Sequence, residues 1–221
     1  MSNIVLYGTD LSPPVRACLL TLKALDLPFE YKIVDLKSGE HYGEEFTKRN
    51  PQHTVPLLND GDAWIWDSHA ICAYLVDKYG KDDSLYPKDL LKRAVVNQRM
   101  FFEASILFMS LRNASRPMWL NKHTVLLKEK LDNIKEGYGV MEDFLKGNNY
   151  ATGNTLTIAD FSCVSTLSTL RAFIDIDANK YPNMHAWLQR VSQLPYYEEA
   201  NGKGSSQYEA FIKHAMSNTL W

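Results

Sequence analysis

The sequence predicts a small α/β domain followed by an all-helical domain. Three observations carry that expectation. The first 80 residues alternate short apolar strand signals with helical ones, and everything from about residue 90 onward has helical spacing. Between them, Gly80 to Asp89 holds Gly, two Asp, Ser and Pro87, the composition of a linker. Charge divides in the same place: residues 1–84 carry 8 Lys+Arg against 13 Asp+Glu, net −5, and residues 85–221 carry 16 against 13, net +3. The domains are therefore drawn at 1–80 and 90–221, with 81–89 as linker.

The elements follow in order. Ile4, Val5, Leu6 and Tyr7 make a strand ended by Gly8. A turn, Asp10 to Pro14, leads into a helix over Val15–Leu25, where Cys18, Leu19, Leu22 and Leu25 recur at helical spacing. Phe29 to Val34 alternates and reads as a second strand, and His41 to Asn50 as a weak, polar helix. Val55–Leu58, the turn Asn59-Asp60-Gly61-Asp62 and Ala63–Trp66 form a hairpin signal. Asp67 is placed to cap a helix over Ser68–Tyr79. A strand–helix–strand unit favours a parallel pair, to which the hairpin adds antiparallel strands. Later helices are expected at Leu90–Met118, Thr124–Lys146, Leu156–Phe173, Met184–Leu194 and, after Gly202-Lys203-Gly204, Tyr208–Met216. Pro117 is expected to kink or close the long helix near Asn113.

Composition narrows the function classes. The chain has 221 residues, 45% apolar and 23% charged, as in a globular protein able to bury a core without metal or disulfide support. No apolar run approaches the ~18 residues of a membrane span, and Met1–Gly8 lacks a signal-peptide layout. Cys18, Cys72 and Cys163 stand singly, with no disulfide framework, CxxC or zinc spacing, so a reducing, cytoplasmic setting and no metal are expected. A net charge of −2 argues against nucleic acid as a partner.

Several residues carry candidate chemistry. Ser12-Pro13-Pro14 joins the first strand to the first helix, where N-terminal N–H groups favour an anion, so Ser12 is either an N-cap or a donor to a bound thiolate. In Thr54-Val55-Pro56, a cis bond would turn the Val55 N–H and C=O outward to pair with an extended peptide. Asp67-Ser68 either caps a helix or holds an α-amino-acid head group. Phe108, Arg112, Ser115 and Trp119 share one helical face, and Arg112 there either snorkels to water or reaches a carboxylate in a cleft. Thr157-Ile158-Ala159-Asp160 is a capping box with Asp in place of Glu.

In this order and spacing these motifs, with Asn50-Pro51-Gln52-His53, Asp67-Ser68-His69 and Gly153 before Thr157, make the chain resemble a cytosolic glutathione transferase. It is most similar to the insect epsilon class, with the delta class next. The resemblance implies a thioredoxin-like N-terminal domain and a helical C-terminal domain carrying a hydrophobic substrate site. It implies that Ser12 stabilises the glutathione thiolate and that Val55, before a cis Pro56, pairs with the cysteinyl unit. His53 and His41 would hold the glycine carboxylate, Asp67 and Ser68 the γ-glutamyl end, and Arg112 would lie near the sulfur. Leu36, Phe108, Leu111, Ser115, Trp119, Leu120 and Phe211 would line the second site. The partners implied are glutathione, small hydrophobic electrophiles and a second copy of the chain, with His69 near the two-fold axis. The activity implied is conjugation in xenobiotic detoxification, with dehydrochlorinase or peroxidase chemistry open to the same thiolate. A non-catalytic carrier of apolar ligands on this scaffold is the alternative. A thiol–disulfide oxidoreductase is disfavoured, because position 12 is Ser and Cys18 falls on an apolar helix face. One departure is Asp67, where relatives usually carry Glu; the shorter reach would weaken a charge-assisted bond by about 1 kcal/mol or more.

Overall fold

The computed structural model describes residues 4–119 and 127–217. Strand β1 (Ile4–Gly8) is followed by α1 (Pro13–Ala24) and β2 (Glu30–Ile33), a strand–helix–strand unit whose strands pair in parallel. A short 3-10 turn (Glu40–Tyr42) and α2 (Glu44–Thr47) occupy the weakly helical stretch. β3 (Leu57–Asp60) and β4 (Ala63–Trp66) form the expected hairpin, closed by Gly61 at φ 63°. β3 runs antiparallel to β1, giving the mixed sheet order β2-β1-β3-β4. α3 (Ser68–Tyr79) completes this thioredoxin-like half.

The register brings four chain ends to one edge of the sheet. Gly8 pairs with Ile33, Tyr7 with Leu57, and Leu57 with Trp66. The segments after β1, after β2, before β3 and after β4 therefore converge. These segments carry Ser12, Leu36, Val55-Pro56 and Asp67-Ser68 respectively. Gly8 permits the tight exit from β1, since a Cβ there would meet a Val15 methyl at 2.6 Å.

The second half is helical: α4 (Leu90–Phe102), α5 (Phe108–Trp119), α6 (Lys128–Leu145), α7 (Ile158–Leu170), α8 (Pro182–Ser192) and α9 (Lys203–Ser217). α7 has no solvent-facing polar side and is buried along almost its whole length, with Ser162, Ser165, Thr166 and Thr169 buried as well. Its capping box forms as expected: the Asp160 carboxylate accepts from the Thr157 N–H at 2.9 Å and also from Ala151 N–H and Trp187 Nε1. Desolvation raises the Asp160 pKa, and those donors oppose the rise.

Two helix expectations need correction. The run from Leu90 does not close near Asn113. α5 continues through Pro117 to Trp119, because the proline sits in the last turn and frees only a carbonyl on the exposed side, at Asn113. The irregularity lies earlier, in a π-helical turn at Glu103–Leu107 between α4 and α5. Likewise, Gly202-Lys203-Gly204 does not interrupt the chain before the last helix. A second π-helical turn (Glu198–Gly202) runs directly into α9, and Gly204 is there for packing: a Cβ would lie 2.3 Å from the Asp10 carbonyl oxygen.

Candidate functional site

Where the sheet edge meets α5 and α9 there is a cavity of about 740 Å³, within the usual size for a small-molecule site. Nine of the expected residues line it: Ser12, Leu36, His41, Phe108, Leu111, Arg112, Ser115, Trp119 and Phe211. Trp119 and Phe211 stack at 4.1 Å and form an aromatic wall. Leu120 falls outside the described residues. His53, Val55, Pro56, Asp67 and Ser68 do not line this cavity; they lie along the neighbouring sheet edge.

Ser12 occupies the N-cap position of α1, but its hydroxyl makes no capping hydrogen bond. A capping oxygen normally accepts from the second or third helical N–H, and Pro14 removes one of these. The main chain is committed: Ser12 N–H donates to the Thr9 carbonyl at 3.0 Å and its carbonyl accepts from Arg16 N–H at 3.1 Å. The two prolines also qualify the expected anion site. Pro13 and Pro14 offer no donors, so the hydroxyl, the Val15 N–H and the helix dipole are what remains at this helix start.

On the adjoining edge, the Val55-Pro56 peptide is cis. Among the described residues, neither main-chain polar group of Val55 takes a hydrogen bond. His41, Tyr42 and His53 form an aromatic group, with 4.0 Å between the first two rings and 4.8 Å between the last two. His41 Nδ1 is buried without a partner. Burial first, and the nearby His53 second, lower the His41 pKa. At neutral pH His41 is therefore an uncharged donor rather than a cation.

Asp67 caps the helix and keeps one oxygen free. Its Oδ1 caps α3, accepting from His69 N–H at 2.9 Å and Ala70 N–H at 3.3 Å, while Oδ2 has no partner among the described residues. Its backbone is held at φ 73°, an uncommon conformation for a residue with a side chain. The hydrogen bond from His69 keeps the Asp67 carboxyl below the usual range. His69 is no ordinary surface histidine. It bridges Asp67 Oδ1 at 3.2 Å and Glu103 Oε2 at 2.8 Å. Burial disfavours its charged form, but the two carboxylates outweigh that and hold its pKa at about 10. Glu103 in turn accepts from the Thr166 hydroxyl.

The sequence reading missed Thr9, Leu11, Pro13, Ile33, Val34, Asp35, Lys37, Arg116 and Tyr208 on the cavity wall. Some were within reach of helical spacing: Arg116 is one turn beyond Arg112, and Tyr208 is three residues before Phe211. Tyr208 is almost wholly buried, and its hydroxyl has no partner at bonding geometry although the Ser115 hydroxyl and the Trp119 indole face it. Burial raises its pKa, opposed by those two groups. No signal marks Asp35 or Lys37 beyond their being neighbours of Leu36.

Among the described residues no group of three or more His, Cys, Asp or Glu is placed to hold a metal, and no helix is long and apolar enough to cross a membrane. The three cysteines are free and buried.

Residues 6–83 match the family model for the glutathione S-transferase N-terminal domain, and residues 100–195 match the one for the C-terminal domain. The chain belongs to the glutathione S-transferase family. It is 58% identical to an epsilon-class glutathione S-transferase from the housefly, Musca domestica, over 96% of this chain and 98% of that one, with a TM-score of 0.95. A glutathione transferase homologue from Drosophila mojavensis, solved with bound glutathione, is 54% identical over 97% and 98%, also with a TM-score of 0.95. A delta-class glutathione transferase from Nilaparvata lugens is 38% identical over 96% and 99%, with a TM-score of 0.90. The epsilon class is thus the nearer of the two.

Proposed function

We propose that the protein binds glutathione along the sheet edge and transfers its sulfur to hydrophobic electrophiles held in the cavity. The observation that carries this reading is the uncommitted Ser12 hydroxyl, which lies at the junction of the two surfaces. The free main-chain groups of Val55 suit the cysteinyl unit, His41 and His53 the glycine carboxylate, and Asp67 Oδ2 with Ser68 the γ-glutamyl end. A relative with glutathione bound supports the co-substrate.

Magnitudes make the mechanism reasonable. A free thiol of pKa about 8.5 is about 3% thiolate at pH 7. One hydrogen bond to a charged acceptor contributes roughly 1.5–3 kcal/mol, or about one to two pKa units. A donor at Ser12 would bring the thiol to about 6.3–7.4, where the thiolate at pH 7 rises from about 3% to between about a quarter and four-fifths. Ser12 donates and need not ionise. The rest of the acceleration comes from holding the electrophile beside the sulfur. Removal of HCl from organochlorines and reduction of peroxides would draw on the same thiolate.

Ser12→Ala tests this. Turnover of a model electrophile should fall at least about tenfold with the fold intact, and the ultraviolet thiolate band of the glutathione complex should titrate at higher pH. Unchanged kinetics would remove Ser12 from the mechanism. Retention on glutathione-agarose with no turnover of several electrophiles would favour the carrier.

The reading extends to a homodimer in the cytoplasm. Leu90 (85% exposed) and Phe101 (67% exposed) lie three turns apart on one face of α4, an apolar exposure that a second copy would cover. A sedimentation mass near 25.3 kDa, the mass of one chain, would count against the dimer.

A further inference from the structure

The cavity is apolar in its walls and basic at its edge. Lys37, Arg112 and Arg116 line it, and all three are exposed. Among the described residues, none of their charged groups makes a hydrogen bond or an ion pair. Asp35 is the one acid on the described lining, and its Oδ1 is already occupied by the N–H groups of Lys37 and Ser38, at 2.9 and 3.1 Å. His41 adds no charge at neutral pH.

The helix itself works against this arrangement. Arg112 and Arg116 stand one turn apart on α5, where like charges repel. Acidic residues nearby in sequence would relieve the repulsion, but residues 104–128 contain none, while Arg112, Arg116, Lys122 and Lys128 all fall there. Three cations against the single carboxylate of Asp35, which lies beside Lys37, leave the edge of an apolar cavity net positive and attract a ligand with a hydrophobic body and an anionic end.

We propose that the cavity selects hydrophobic electrophiles bearing a carboxylate or sulfonate remote from the reacting carbon. This rests on the transferase reading and narrows its substrate class. The apolar body would bury against Phe108, Trp119 and Phe211, and the anion would sit at the edge. The planar guanidinium of Arg116 suits a carboxylate or sulfonate better than an ammonium would. Because the rim is open to water, the preference weakens with salt.

An isosteric pair of electrophiles isolates charge from shape: 4-(chloromethyl)benzoate and 4-(chloromethyl)benzamide. In both, the sulfur lone pair of glutathione forms a C–S bond at the benzylic carbon while the C–Cl bond breaks and chloride leaves. The readout is the ratio of kcat/KM, benzoate over benzamide, each divided by its uncatalysed rate with glutathione in buffer. At low ionic strength the ratio should be at least about tenfold, falling several-fold in 0.5 M salt. Lys37→Gln with Arg116→Gln should bring it towards one. Both residues are exposed, and an unchanged melting curve would confirm that the double variant is folded. A ratio near one in the unaltered protein, or one that neither salt nor the double variant moves, overturns the proposal and leaves the transferase reading standing. No turnover of either compound while an uncharged model electrophile is turned over also overturns the proposal and leaves the transferase reading standing; no turnover of any of several electrophiles overturns both.

Discussion

Two cations, Arg16 buried and His69 partly buried, join the sheet half to the helical half, and they do so by different chemistry. Arg16, on α1, donates to the Asn201 carbonyl at 3.1 Å, the Ser165 carbonyl at 3.2 Å and the Thr169 hydroxyl. Its acceptors are neutral and mostly main chain. His69, on α3, is clasped by two carboxylates, Asp67 and Glu103. Each partner segment includes a π-helical turn, Glu198–Gly202 for Asn201 and Glu103–Leu107 for Glu103. An extra residue in a helical turn re-aims the groups that follow, and here both turns face the other half. The Arg16 contact depends on backbone position; the His69 contact depends on charge.

The largest expected effect comes from breaking the Arg16 contact. Arg16 is 1% exposed, so Arg16→Met removes three hydrogen bonds from a charged donor at a buried site and should cost about 3–5 kcal/mol in urea unfolding. A loss under about 1 kcal/mol would mean that water replaces the guanidinium. Gly204→Ala attacks the same contact from the other side. Its Cβ would lie 2.3 Å from the Asp10 carbonyl oxygen and 2.8 Å from Arg16 Cδ, and overpacking of that kind costs about 1–3 kcal/mol.

Titration separates the two contacts. The His69 pKa is raised to about 10 in the folded chain, against about 6.5 unfolded. Its contribution is fully present below pH 6.5 and is lost as pH rises through 10. Burial lowers the Arg16 pKa to about 10, so Arg16 stays protonated through most of that window. Stability measured from pH 6 to 9.5 should therefore decline, and His69→Asn should flatten the decline. An equal slope in the variant would show that His69 is neutral in the folded chain. The smallest effect belongs to Lys23 and Glu199, an ion pair at 2.7 Å that also ties α1 to the second π-helical turn. It is substantially solvated, so Lys23→Ala should cost under about 1 kcal/mol.

What the sequence disclosed follows the range of the interactions involved. α3 matches its expected span, Ser68–Tyr79, because Asp67 caps one end and Gly80 follows the other, both local signals. The Ser12 junction and the hairpin are local in the same sense. The His69–Glu103 contact joins residues 34 apart, and Arg16–Asn201 residues 185 apart, so no spacing rule reaches them. Gly204 was misread for the same reason. A glycine in a sequence looks like a turn, and only the approach of Asp10 shows that it is a packing surface. Arg112 was legible on its helical face; Arg116 stood a turn further along that face and was passed over.

The position of Arg16 also bears on protein engineering. It lies one turn from Ser12 on the same rod, so whatever fixes the guanidinium also fixes the hydroxyl against the cavity. A chimaera that grafts one relative's helical half onto another's sheet half would inherit a new cavity, but it would keep the Ser12 hydroxyl aligned only if Asn201, Gly204 and α1 travelled together.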